Sequence, residues 1–146
     1  MTCSRWLTYP FSVAAHDRLD RVATIVYWTP EHRGGAGRGL AAAYEDATGT
    51  PWAQPLGVAH AALEAACHAV TAAGSRAGTA EVLAGLRLDT AAGTLDWAGG
   101  SAPGVATIPL AAGQWRAGTR PELVVVDNRR APAVPVSGEL LVSPSA

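Results

Sequence analysis

Several groups of residues have the types and spacing that chemistry requires. Gly37-Arg38-Gly39-Leu40-Ala41-Ala42 fits G-x-G-x-x-A, a pattern that lets backbone approach a pyrophosphate at a helix N-terminus. Such a cradle sits in the tight turn at a strand's end. Here the eight residues 29–36 intervene, Pro30 among them, so the stretch reads as a flexible loop. His60, Glu64 and His68 recur at i, i+4 and i+8, with Cys67 beside His68. On a helix each step turns about 40°, so two of them could share a metal ion. Three do not converge from a straight helix and no fourth ligand is evident, so a core-facing histidine beside a polar neighbour is the simpler reading. Gly74-Ser75-Arg76-Ala77-Gly78 lacks the G-x-S-x-G spacing that strains a nucleophilic serine onto an elbow, and reads as a turn between helices. His16, Asp17 and Asp20 form a polar cluster that no serine joins. These groups point away from catalysis and from a bound metal. Tyr27, Trp28, Trp52, Trp97 and Trp115 sit at element ends or beside glycines, places that suit core anchors and equally the walls of a ligand cleft.

The elements that must position these residues follow from periodicity. Residues 22–28 (VATIVYW) are β-branched and aromatic and predict a buried strand, stopped by Thr29-Pro30. A glycine-rich loop over 34–39 leads into a helix over 40–48, closed by Gly49. The clearest helix covers 56–73, with Leu56, Ala59, His60, Leu63, Ala66, Cys67 and Val70 as its apolar stripe and Gly74 ending it. Thr79 is placed to N-cap a helix over 80–86. Strands are expected over 94–97, 105–110 and 122–126, between Gly and Pro turns. From Arg129 on, Pro132, Pro135 and Pro144 mark an extended tail without periodicity. A strand, three helices and then strands give the α/β class, with one domain over 1–128 and an appendage over 129–146.

Composition narrows the functions. Eleven arginines, no lysine and 12 acidic residues leave a net charge of -1, with no basic run. Nucleic-acid binding driven by phosphate contacts needs a concentrated positive face, so it is excluded. Hydrophobic residues make up 49% and charged ones 16%, which argues against disorder throughout. Cys3 and Cys67 form no CxxC pair. No apolar run reaches the ~18 residues of a bilayer span. Arg5 and the stretch 6–15 imitate a short signal peptide, but Thr8, Tyr9, Pro10 and Ser12 interrupt it. The stretch reads as ordinary mature sequence, which leaves a cytoplasmic chain as one expectation.

Several segments, in order, resemble the type I periplasmic solute-binding proteins of ABC transporters, the branched-chain amino-acid-binding group. Val26-Tyr27-Trp28-Thr29-Pro30 resembles the family's strand leading out of its second lobe. Tyr44-Glu45-Asp46-Ala47-Thr48-Gly49, Gln54-Pro55-Leu56-Gly57 and His60-Ala61-Ala62-Leu63-Glu64-Ala65 resemble the next two helices, and Ala73-Gly74-Ser75 the turn after them. Leu88-Asp89-Thr90-Ala91-Ala92-Gly93-Thr94-Leu95-Asp96-Trp97 resembles the family's "t-x-x-G-x-l-x-w" hairpin, and Gly113-Gln114-Trp115-Arg116-Ala117-Gly118 its "gQWr-G" strand.

The resemblance runs over 22–126 and matches only the last third of such proteins, which have two α/β lobes closing on a ligand. It implies a partial lobe, a three-layer-like sheet flanked by helices, with 31–106 in lobe one and the remainder in crossovers and lobe two. It implies a non-catalytic binder of amino acids or similar small polar solutes, serving an ABC importer permease outside the cytoplasm, without cofactor. Trp28, Thr29, Gln54, Pro55, Leu56 and Gly57 are the ligand-binding positions carried over. A sheet missing strands exposes edges and faces that invite self-association. An interaction or remnant protein without a ligand is therefore the second expectation, and a nucleotide-binding enzyme using Gly37 to Ala42 the third.

Overall fold

The computed structural model describes residues 20–119 and 121–142. The signal-like stretch, Cys3, His16 and Asp17 lie outside the described residues. The chain is mixed α/β, with four helices and two small antiparallel sheets among the described residues. It divides into two compact units rather than one. The first joins the described residues up to Val26 to those from Leu110 onward, and the second is Tyr27–Pro109.

In the first unit, strands β1 (Ala23–Val26), β4 (Ala111–Arg116) and β5 (Glu122–Asp127) pair antiparallel in the order β1-β4-β5. Gly113, opposite Val125, sits where neighbours crowd in: a Cβ there would lie 2.4 Å from Val26 Cγ2 and 3.1 Å from the Val124 carbonyl. The pairing register shifts between Ala112 and Gly113. Val26, Trp115, Leu123 and Val125 form the core, together with Ala131 and Val134 of the C-terminal segment. The described residues of that segment form no helix or strand, as its prolines predicted, yet it is not an appendage. The Ser137 and Gly138 amides donate to the Val125 carbonyl at 2.9 and 3.2 Å, and the Val125 amide donates to Ser137 Oγ at 2.9 Å. These bonds satisfy part of the outer edge of β5, which would otherwise be open to another strand. The Gln114 side chain holds the segment further along, accepting from the Leu141 amide at 2.9 Å and donating to its carbonyl at 2.8 Å.

The second unit contains α1 (His32–Gly35), α2 (Arg38–Thr48), α3 (Pro55–Ala73) and α4 (Thr79–Ala84), followed by the hairpin β2 (Arg87–Thr90) and β3 (Gly93–Asp96). Gly49 and Gly74 close α2 and α3 in the left-handed conformation, as their positions predicted, and Pro55 opens α3. The buried face of α3 is not the expected stripe. It is Gly57, Ala61, Ala65 and Ala69, an i, i+4 row of small residues, whereas Leu63 is 66% exposed and Val70 59%. The helix is apolar on both sides, so periodicity alone could not choose between them. Close approach decides: Ala61 and Ala65 share a core with Trp28, Ala41, Leu86, Ala92 and Leu95.

The first strand stops at Val26, two residues short, because the Tyr27 and Trp28 amides bond to a side chain instead of a strand. No strand forms over 105–110, where Pro109 removes a donor. Thr107 alone makes a two-bond bridge to Asp96. Thr79 does not cap α4 but is its first residue, its hydroxyl donating to the Ser75 carbonyl at 3.1 Å. The three-stranded sheet and the helices belong to different units.

Candidate functional site

The positions carried over from the resemblance do come together, around an indole. Trp28 is fully buried and donates from Nε1 to the Ala91 carbonyl at 3.0 Å. Gln54, 2% exposed, accepts the Tyr27 and Trp28 amides on Oε1 at 2.9 and 3.4 Å. Gly57 lies against the ring, where a Cβ would come within 2.1 Å of Cγ and Cδ1. Trp52 meets Trp28 edge-on, with centroids 5.5 Å apart. Thr29 is buried beside His32, whose Nδ1 accepts the Thr29 amide at 2.9 Å. Burial holds the His32 ring below the usual histidine range. Pro55 and Leu56 are half-buried at the start of α3. This cluster is packed interior, and it fixes how the chain leaving β1, helix α3 and the hairpin meet.

The other motifs resolve similarly. Gly37 packs closely, since a Cβ there would lie 2.8 Å from Trp28 Cζ2 and 3.2 Å from Pro30 Cα. Ser75 is a turn residue, its Oγ accepting the Gly78 amide. His68 is exposed, and no group of three His, Cys, Asp or Glu among the described residues could hold a metal ion. Asp20 accepts the Ala117 amide at 3.1 Å.

Beside the Trp28 cluster lies an open groove of about 590 Å³, lined by Arg33, Ala36, Leu40, His60, Glu64, Thr90 and Ala91. Its size falls within the range of small-ligand sites. Glu64, on α3, accepts the Ala91 amide at 3.2 Å, which ties the helix to the hairpin loop. His60, one turn earlier, places Nδ1 3.3 Å from Glu64 Oε2. Arg33 reaches the groove from a left-handed backbone conformation (φ 52°, ψ 47°) followed by Gly34 at φ 71°. Few non-glycine residues adopt that conformation, and where they do it often marks a working position. The guanidinium is 3.2 Å from Asp89 Oδ2. The Asp89 carboxyl is held below its ordinary range by the Thr94 hydroxyl, which donates to Oδ1 at 2.6 Å, and then by Arg33.

No protein-family model, curated protein or solved structure matches this chain. What the groove can do follows from its own groups. It presents a guanidinium and a carboxylate, each with 37% of its side chain exposed, and an imidazole. A guanidinium binds carboxylates through paired N–H donors, and a carboxylate accepts from ammonium groups. The Thr90 hydroxyl is already used, donating to the Gly93 carbonyl at 2.7 Å and accepting the Ala92 amide. Sequence reasoning singled out His60 and Glu64 but read them as a core-facing histidine beside a polar neighbour, whereas both line the groove, and it missed Arg33 and Ala91. The His32-Arg33-Gly34-Gly35 run carries a hint, since a charged residue before two glycines suits an irregular turn.

Proposed function

We propose that this chain is a non-catalytic binding protein for a small polar solute of the amino-acid class, held in the groove of Arg33, His60 and Glu64. The observation that carries the reading is the presence of opposite charges within one depression, since Arg33 and Glu64 both line it. A zwitterion fits that pair: its carboxylate on the Arg33 guanidinium, its ammonium on Glu64, with Leu40 and Ala36 against the aliphatic part. Arg33 leaves its Asp89 partner only in part, because five N–H donors allow both contacts. The ligand positions are thus moved from the packed Trp28 cluster to its rim.

The wider context belongs to the same proposal. The ordered motifs over 22–126 support a part of a type I solute-binding lobe, delivering its ligand to an ABC importer permease outside the cytoplasm.

The test is a thermal-unfolding scan with and without millimolar amino acids. A ligand at 100 times its dissociation constant adds about 2.7 kcal/mol, several degrees for a domain this size. The expected result is a rise in Tm for the wild type that Arg33→Gln and Glu64→Gln each abolish. A response that is flat across a broad panel of zwitterions, or that survives both substitutions, overturns the proposal.

A further inference from the structure

The outward face of α3 is a patterned apolar surface. Ala59, Leu63, Ala66, Val70 and Ala73 recur at intervals of 4, 3, 4 and 3 residues, the a/d spacing of a helix that packs lengthwise against another. They lie on the opposite side of the helix from the buried Gly57, Ala61, Ala65 and Ala69. Leu63 and Val70 are among the most exposed large apolar residues described, at 66% and 59%. The pattern also alternates in size. One seam position carries Leu63 and Val70, the other Ala59, Ala66 and Ala73.

We propose that this face docks a second copy of the chain, the two α3 helices antiparallel about a two-fold axis between residues 64 and 65. Antiparallel pairing sets each a position against a d position of the partner. Leu63 then meets the partner's Ala66, and Val70 meets the partner's Ala59, so each of these layers holds one large and one small side chain. A parallel pair would set Leu63 on Leu63 and Ala66 on Ala66, alternately crowded and empty. The size code is therefore complementary to itself in one orientation, which is what an isologous contact requires. One alanine in each layer lets the helices approach at the short end of the 8–10 Å range. Charge agrees: Glu64 is the only acidic residue of α3, the helix has no Arg or Lys, and Glu64 is already turned to the hairpin through Ala91. No like charges oppose one another along the seam. The same lack of cations disfavours an anionic membrane as the occupant. The contact uses a helix, not the sheet surface that the sequence suggested for self-association, and it does not depend on solute binding.

The experiment is sedimentation velocity on the full chain between about 5 and 200 µM, with variants chosen to separate pairing from stickiness. The wild type is expected to shift with concentration from 14.9 kDa to twice that mass. Leu63→Glu, at an exposed site, should remain folded by circular dichroism and stay monomeric. Ala66→Leu should weaken the dimer at least ten-fold, since it sets Leu against Leu. The double variant Leu63→Ala/Ala66→Leu should recover it, because each layer again holds one large and one small residue. A monomer at every concentration overturns the proposal, as does a dimer that Leu63→Glu leaves intact. Tighter association of Ala66→Leu would mean nonspecific apolar contact and would equally overturn it. So would co-flotation of a monomeric wild type with phosphatidylcholine/phosphatidylglycerol vesicles that Leu63→Glu prevents.

Discussion

Replacing Gly57 by alanine sets two known effects against each other, and the structure decides the sign. Alanine in a helix is favoured over glycine by roughly 0.8–1 kcal/mol, so an exposed site would gain stability. At Gly57 the added methyl carbon would lie 2.1 Å from Trp28 Cγ and Cδ1 and 2.3 Å from Cδ2, far inside van der Waals contact. The indole has nowhere to go: it is 0% exposed and its Nε1 is tied to the Ala91 carbonyl at 3.0 Å. Helix α3 must move outward or Trp28 must leave its place, an overpacking cost of about 1–3 kcal/mol and occasionally more. At so close an approach to a fixed ring the cost lies at the upper end of that range, so the net expectation is a loss of about 2 kcal/mol, near 3 °C in Tm per kcal/mol for a chain of this length. Gly39 supplies the control, because a Cβ there meets nothing within 4 Å and its φ is ordinary. Gly39→Ala in α2 should be neutral or raise Tm by up to about 3 °C. The assay is thermal unfolding followed at 222 nm and by tryptophan fluorescence, all at one protein concentration. If Gly57→Ala is as stable as the wild type or more so, α3 does not pack on Trp28 through its small-residue face.

Three further outcomes follow from single contacts. Gln54→Ala removes the side-chain acceptor of the part-buried Tyr27 amide and the buried Trp28 amide, and should cost about 1–3 kcal/mol in urea unfolding with an unchanged m value. Burial lowers the His32 pKa from its ordinary 6.5, so the unfolded chain binds a proton first as pH falls. Its contribution to stability is therefore complete above about pH 7 and is lost as pH drops through 6.5 toward the folded-state value. His32→Asn keeps an acceptor for the Thr29 amide and should flatten that part of the stability–pH curve. Val134→Ala removes two carbons from a site 2% exposed in the sheet core, and should cost about 1–2 kcal/mol at ~0.8 per methylene. A free appendage would show no change in denaturation midpoint.

The legible parts of the fold were those written in local chemistry. Gly49 and Gly74 marked two helix ends because a left-handed C-terminal residue is nearly a glycine signature. The β-branched run VVV at 124–126 marked β5 for the same kind of reason. Helix α3 was legible as a helix but not in its rotation. Bulky Leu63 and Val70 advertise a core face, whereas the packed face consists of the smallest residues because a rigid indole must fit against it. The end of the chain misled because proline spacing removes regular structure without removing burial, and Ala131 and Val134 carry no periodic signature. Of the site, His60 and Glu64 were visible from their i, i+4 spacing. Arg33 and Ala91 lie far from them in sequence and reach the groove through a left-handed turn and a hairpin loop, contacts that only the folded chain creates.

Isothermal titration calorimetry of the wild type and Glu64→Gln against zwitterionic amino acids tests the solute-binding groove most directly. Saturable heat at one site per chain is expected in the wild type, lost on removal of the Glu64 charge and weakened when the amino acid's carboxylate is amidated. Heat that does not saturate, or binding indifferent to both the Glu64 charge and the ligand's carboxylate, would contradict it.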